Sequence, residues 1–278
     1  MALATINCFS EILQLGVTIN VVLPQATTSQ VGVASAVREG APPVLYLLHG
    51  LSDDHSAWVR YTSVERYADA RGLAVVMPAV GRSFYADERH GHQYWTFVSE
   101  ELPQLVAAFF RVSTDPADTY VAGLSMGGYG ALRLALTHPD RYAAAASLSG
   151  AVDVRKLIEE PDRAALKAQV FGGAVAPEED LFHLVQAGVA PPLWVGCGTE
   201  DRLYPMVRDF VAAAQRAGIE VTTSYPPGDH VWELWDAQLP EVLDFLLSAG
   251  RPSPEPATSP EAGTSPEPGT SPEPGSLS

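Results

Sequence analysis

One pentapeptide in the 278-residue chain joins a nucleophile to the residues needed to present it, Gly123-Leu124-Ser125-Met126-Gly127. A serine hydroxyl attacks a carbonyl carbon only when a base takes its proton and a third group orients that base. Two histidines follow Ser125 at any distance from its own predicted helix, His183 and His230. His183 lies in DLFHLVQAG, a short amphipathic pattern. His230 lies in PPGDHVW, a loop between the last predicted strand and the last predicted helix, and is the expected base. The expected acid is Asp201, right after the strand pattern PPLWVGCG; Glu200 is the runner-up. Asp229 adjoins His230 in sequence, and such neighbours rarely face each other. The chemistry this set would support is acyl transfer through a covalent serine intermediate.

The elements that must position these residues are legible as continuous apolar runs separated by helical patterns. Two alternating segments, 5–9 and 17–23, predict an antiparallel hairpin at a sheet edge. The runs 44–48, 73–77, 120–124, 143–148, 193–197 and 221–225 predict buried strands. Helices are predicted over 61–71, 97–110, 126–137, 205–217 and 234–247. Strand–helix alternation of this length implies an α/β fold, one mostly parallel sheet with helices on both faces, and ligands bind beyond the strands' carboxyl ends. Ser125 then falls on a strand–turn–helix elbow of the α/β-hydrolase type, where glycines two before and two after the serine relieve the tight turn. The predicted helix N-terminus beside it favours the negative charge that develops during attack. Two backbone N–H groups should hold that oxyanion. These are Met126, directly after the nucleophile, and Leu51, in the loop after strand 44–48. His49 in the same loop is expected to shape it through a hydrogen bond rather than act as a base.

Composition narrows the partners. A net charge of −16 repels phosphate backbones and anionic lipid, so neither nucleic acid nor membrane surfaces are expected. No apolar run approaches the length of a membrane span, and the N-terminus lacks the basic and apolar regions of a secretory signal, which makes a cytoplasmic location the default. Cys8 and Cys197 have no metal-type spacing, and no disulfide is expected between them. His90-Gly-His92 is a bare H-x-H without further ligands at zinc spacing, so no metal site is expected. From residue 250 the chain changes to SPEPAT, SPEAGT, SPEPGT and SPEPGS, a six-residue repeat without large apolar side chains. Domain organisation is therefore read as a catalytic domain over 1–249 and a disordered tail over 250–278. Residues 151–190 are read as a cap-like insertion whose Leu157, Ile158, Leu166, Val170, Phe171, Leu181 and Phe182 would roof a small acyl pocket. Trp232 and Trp235 are expected to pack rather than touch ligand.

Several longer motifs stand in one order along the chain: HGLSDDHSAW over 49–58, SFYAD over 83–87, YWTF from Tyr94, GLSMGGYGAL, CGTEDRLY and PGDHVWELWD. Together they resemble the esterase D-like group of α/β-hydrolases, nearest its short-chain tributyrin (acetyl) esterases, over nearly all of residues 3–248. That resemblance implies a serine carboxylesterase without cofactor, with Ser125, Asp201 and His230 as its triad and a small-molecule ester as its substrate. It also implies that the stretch 82–95 lies beside the substrate pocket, with Tyr85 and Tyr94 as pocket-lining candidates. The same group holds S-formylglutathione hydrolases and acyltransferases to sugar or lipid alcohols. The former typically carry a cysteine in the oxyanion loop and a histidine after the SMGG glycines, where this chain has Ser52–His55 without cysteine, and Tyr129. The resemblance leaves open whether the chain forms a homo-oligomer.

Overall fold

Alternation along each buried strand decides which side of the sheet it feeds. In Val44–Leu48 (β3), Val44, Tyr46 and Leu48 enter one apolar cluster, while Leu45 and Leu47 enter the other. Both clusters are buried, which is why the run reads as uninterrupted apolar sequence. A computed structural model describes residues 1–249 apart from 28, 30, 32–34 and 38; the hexapeptide tail read as disordered lies outside the described residues.

The remaining strands are Ala2–Ser10 (β1), Leu15–Leu23 (β2), Ala74–Pro78 (β4), Thr119–Leu124 (β5), Ala144–Leu148 (β6), Leu193–Gly196 (β7) and Val221–Ser224 (β8). They form one sheet in the order β1-β2-β4-β3-β5-β6-β7-β8. β1 pairs antiparallel with β2, and β2 antiparallel with β4; every other pairing is parallel. The predicted hairpin is therefore present at one edge; β8, expected to be buried, forms the other edge and has no buried residue, because only one neighbour strand covers it. Helices Leu102–Phe109, Met126–Thr137 and Tyr204–Arg216 contribute to the cluster on one face, and Val64–Asp69 and Trp232–Ala249 to the other. This is the α/β-hydrolase architecture.

Two predicted helices differ from expectation. The span 61–71 is broken: Ala57–Tyr61 ends and Val64–Asp69 restarts. Thr62 between them is extended, its hydroxyl bonds back to the Trp58 carbonyl, and the Ser63 N–H is taken by Asp236. The span 97–110 begins with a wide π-turn at Phe97–Glu101 before the α-helix Leu102–Phe109. Pro103 has no N–H to give, and the Ser99 carbonyl accepts from Arg141 instead, at 2.9 Å. The turn points Glu101 back at the hairpin bend, where its carboxylate accepts from the Ser10 hydroxyl and from the Glu11 N–H.

Residues 151–190 form short helices, Val154–Leu157, Ala164–Phe171 and Leu181–Leu184. Leu157, Ile158, Leu166, Val170, Phe171 and Leu181 are buried in the same cluster as helix Met126–Thr137. Backbone bonds tie the segment down: Arg89 N–H to the Val170 carbonyl and His90 N–H to the Gln169 carbonyl, both 3.0 Å.

Candidate active site

β5 ends at Leu124 and a helix begins at Met126, so Ser125 must reverse the chain alone. It does so at φ 54°, ψ −115°, and its side chain makes no capping bond to the helix. A non-glycine residue at positive φ is strained and held only where its surroundings enforce it. Here Ser125 N–H donates to the Leu148 carbonyl at 2.9 Å, and Ala151 N–H donates to the Ser125 carbonyl at 2.9 Å. The flanking glycines are spatial necessities: a Cβ on Gly123 would strike the backbone of Gly127, and one on Gly127 would lie 2.7 Å from the His49 carbonyl oxygen.

The hydroxyl thus presented lies 3.1 Å from His230 Nε2, and His230 Nδ1 lies 2.7 Å from Asp201 Oδ2. The three predicted residues are brought into one hydrogen-bonded chain. Asp201 is buried. Burial pushes its carboxyl up, but bonds from His230, the Leu203 N–H and Ser149 outweigh that, and its net position is below the ordinary aspartate value. An ionised acid beneath His230 Nδ1 fixes the tautomer that leaves Nε2 free to accept the serine proton. Glu200 is exposed, Asp229 spends its carboxylate on the His230 backbone N–H at 2.7 Å, and His183 lies in the helix Leu181–Leu184.

A cavity of about 280 Å³ opens over Ser125, and both Leu51 and Met126 line it. The Leu51 N–H meets no acceptor among the described residues. His49 is buried: its Nε2 accepts from Val80 N–H at 3.1 Å, so Nδ1 carries the proton and donates to the Gly50 carbonyl at 2.7 Å. Burial lowers its basicity further. It is a neutral brace for the loop that carries Leu51.

Tyr85 is fully buried, and its hydroxyl donates to the His49 carbonyl at 3.0 Å, so it braces the loop from behind. Its neighbour Phe84 lines the cavity instead, because both residues sit at positive φ and the backbone twist turns Tyr85 under the elbow. Tyr94 packs edge-on to His92 and is not part of the cavity wall. Trp232 and Trp235, expected only to pack, both line the cavity. Trp235 meets the His230 ring edge-on at 4.9 Å and donates its Nε1 proton to Ser149 at 3.1 Å. Of the roof candidates, Leu157 reaches this cavity; Ile158 and Phe182 line a separate one further along the insertion. Ser149 went unnoticed in the sequence; its signal was the Ser-Gly pair ending an apolar strand, in the same position after β6 that Ser125 holds after β5. Among the described residues no group of three or more His, Cys, Asp or Glu side chains is placed to hold a metal ion, and no helix is long and apolar enough to cross a membrane.

Residues 10–246 match the family described as "Putative esterase". The chain belongs to this esterase family. An acetyl esterase of Caldicellulosiruptor saccharolyticus is 27% identical over 262 residues, 88% of this chain and 98% of that protein. The substrate-bound structure of the fluorophosphonate-binding serine hydrolase FphF of Staphylococcus aureus superposes with a TM-score of 0.80 at 31% identity, covering 88% of this chain and 98% of that one. The S-formylglutathione hydrolase FrmB of Staphylococcus aureus gives a TM-score of 0.77 at 31% identity, with the same coverage. The esterase described here is a carboxylic ester hydrolase, and its esterase D-like resemblance extends to these relatives.

Proposed function

We propose that this esterase hydrolyses short-chain acyl esters through a Ser125 acyl-enzyme. The observation that carries the reading is the unbroken chain Ser125–His230–Asp201, at 3.1 and 2.7 Å. Ser125 Oγ attacks the acyl carbon while His230 Nε2 takes its proton. The oxyanion is held by the N–H groups of Leu51 and Met126, preorganised where the charge develops. The imidazolium, stabilised by Asp201, returns the proton to the departing alcohol; water then enters, gives a proton to His230 and releases the acid. Short acyl chains are favoured because the cavity of about 280 Å³ is just below the size range of small-molecule sites, about 300–1,000 Å³. The acetyl esterase relative points the same way.

Ser125→Ala should lower kcat/KM for p-nitrophenyl acetate by several orders of magnitude and abolish labelling by a fluorophosphonate. In a p-nitrophenyl series from acetate to palmitate, kcat/KM should peak between acetyl and butyryl; label on another serine, or a peak at octanoate or longer, overturns the reading. Similarity to an S-formylglutathione hydrolase supports a second reading, thioester cleavage by the same residues. S-formylglutathione tested beside p-nitrophenyl acetate separates the two by their ratio of kcat/KM.

A further inference from the structure

The protein has 17 Lys and Arg against 33 Asp and Glu. Two of those few cations, Arg163 and Arg202, nevertheless stand in the wall of the cavity that holds Ser125 and His230. Arg163 comes from the short turn Pro161–Arg163 in the insertion, and Arg202 directly follows Asp201. Both are tied to one carboxylate: Arg163 Nε to Glu160 Oε2 at 2.9 Å, and Arg202 Nη1 to Glu160 Oε1 at 3.3 Å.

This arrangement leaves charge and donors over. One glutamate neutralises one of two guanidiniums. Each guanidinium has five N–H donors; Arg202 spends one on Glu160 and Arg163 meets it as an ion pair, and no other ion pair or hydrogen bond holds either head group among the described residues. The Arg163 side chain is only 13% exposed, so water replaces a missing anion poorly there. The acidic side chain in the lining is Asp53, held at 3.1 Å by the Gly50 N–H. Burial pushes its carboxyl above the ordinary aspartate value.

Resting on the serine-esterase reading above, we propose that Arg163 and Arg202 form an anion subsite, and that the preferred esters carry a carboxylate in their acyl or alcohol portion. A planar carboxylate matches the guanidinium fork, and screening by solvent is weakened at Arg163, 13% exposed, while Arg202, 56% exposed, stands at the open side. The attraction must be local, because the chain's net charge of −16 repels such a substrate at long range.

Two matched pairs test this and separate the two portions: monoethyl against diethyl succinate per ester bond for the acyl side, and 4-acetoxybenzoate against methyl 4-acetoxybenzoate for the alcohol side. In at least one pair the anionic ester should have a kcat/KM about tenfold or more above the neutral one at low salt, and the ratio should fall as salt is added. Arg163→Gln with Arg202→Gln should reduce that ratio by about tenfold, the worth of one charge-assisted bond. Glu160→Gln, outside the cavity wall, should raise the ratio, and so serves even if the double variant does not fold. Neutral esters preferred in both pairs, or a ratio untouched by these substitutions, would overturn the subsite while leaving the esterase reading intact. Failure to cleave any ester, p-nitrophenyl acetate included, would overturn the esterase reading and the subsite with it.

Discussion

Gly127→Ala adds a single carbon at the most crowded point of the elbow. The new Cβ would lie 2.6 Å from the Leu48 carbonyl carbon and 2.7 Å from the His49 carbonyl oxygen, about 0.8 Å short of an ordinary 3.4 Å contact at the nearer of these. The obstructing atoms are backbone, so no side chain can rotate aside; the helix Met126–Thr137 and β3 must separate. Overpacking of this kind costs about 1–3 kcal/mol, and a backbone obstacle places it in the upper half of that range. For a domain of this size the cost corresponds to a fall in Tm of about 5–10 °C. Activity should suffer separately, because the same displacement opens the 3.1 Å contact between Ser125 and His230. A misplacement near one ångström costs on the order of 10²-fold in rate. Thermal melts and kcat/KM on p-nitrophenyl acetate read the two effects, with Gly16→Ala as control, since a Cβ there meets nothing within 4 Å. A Gly127→Ala protein with wild-type Tm and wild-type kcat/KM would refute the steric account of the elbow.

Further outcomes follow from the same geometry. Asp201→Asn should keep the fold and lose about 10⁴-fold in kcat, while Glu200→Gln, altering an exposed side chain, stays near wild type; the reverse pattern would reassign the acid. The Asp201 carboxyl is held below its unfolded value, so its ionised form adds stability in full above the ordinary aspartate range near about 4, and that contribution fades as pH falls through the lowered folded value. The stability gap between wild type and Asp201→Asn should therefore narrow on acidification, measured by denaturant unfolding across that range; a gap that widens would contradict the sign. Trp235→Phe keeps the ring against His230 but removes the donor to Ser149, and should cost about 1–3 kcal/mol of stability by denaturant titration. No measurable loss would show that Ser149 finds another partner.

The sheet and the proposed triad were legible largely because parallel strands buried on both faces leave continuous apolar runs whose carboxyl ends mark where ligands bind; β8 is the exception, VTTS at the sheet edge with no buried residue. Ser125, Asp201 and His230 could be found by position after β5, β7 and β8, together with the chemistry of each residue. What was not legible depends on where side chains turn once the backbone is bent. Nothing in SFYAD announces that Phe84 and Tyr85 take positive φ, which sends the first to the cavity and the second beneath it. The split near Thr62 and the π-turn before Leu102 combine local causes, Thr62 and Pro103, with partners far along the chain, Asp236 and Arg141, which the sequence does not place. Trp232 and Trp235 pack as their periodicity predicts, but periodicity says nothing of a helix's first turn, which here also opens on the cavity.

The hydrogen bond from Ser125 to His230 joins residues 105 positions apart. During synthesis from the N-terminus, at about 5–20 residues per second, the elbow and the strands around it emerge well before the base exists. An incomplete chain therefore displays Ser125 as an ordinary alcohol, since no imidazole is there to take its proton. On the proposed mechanism, hydrolysis by Ser125 begins only once β7, β8 and the His230 loop have emerged and docked. The onset of activity in a timed translation would then mark the docking of β8 and the His230 loop, which makes the proposed Ser125–His230 proton transfer a reporter of folding as well as an instrument of chemistry.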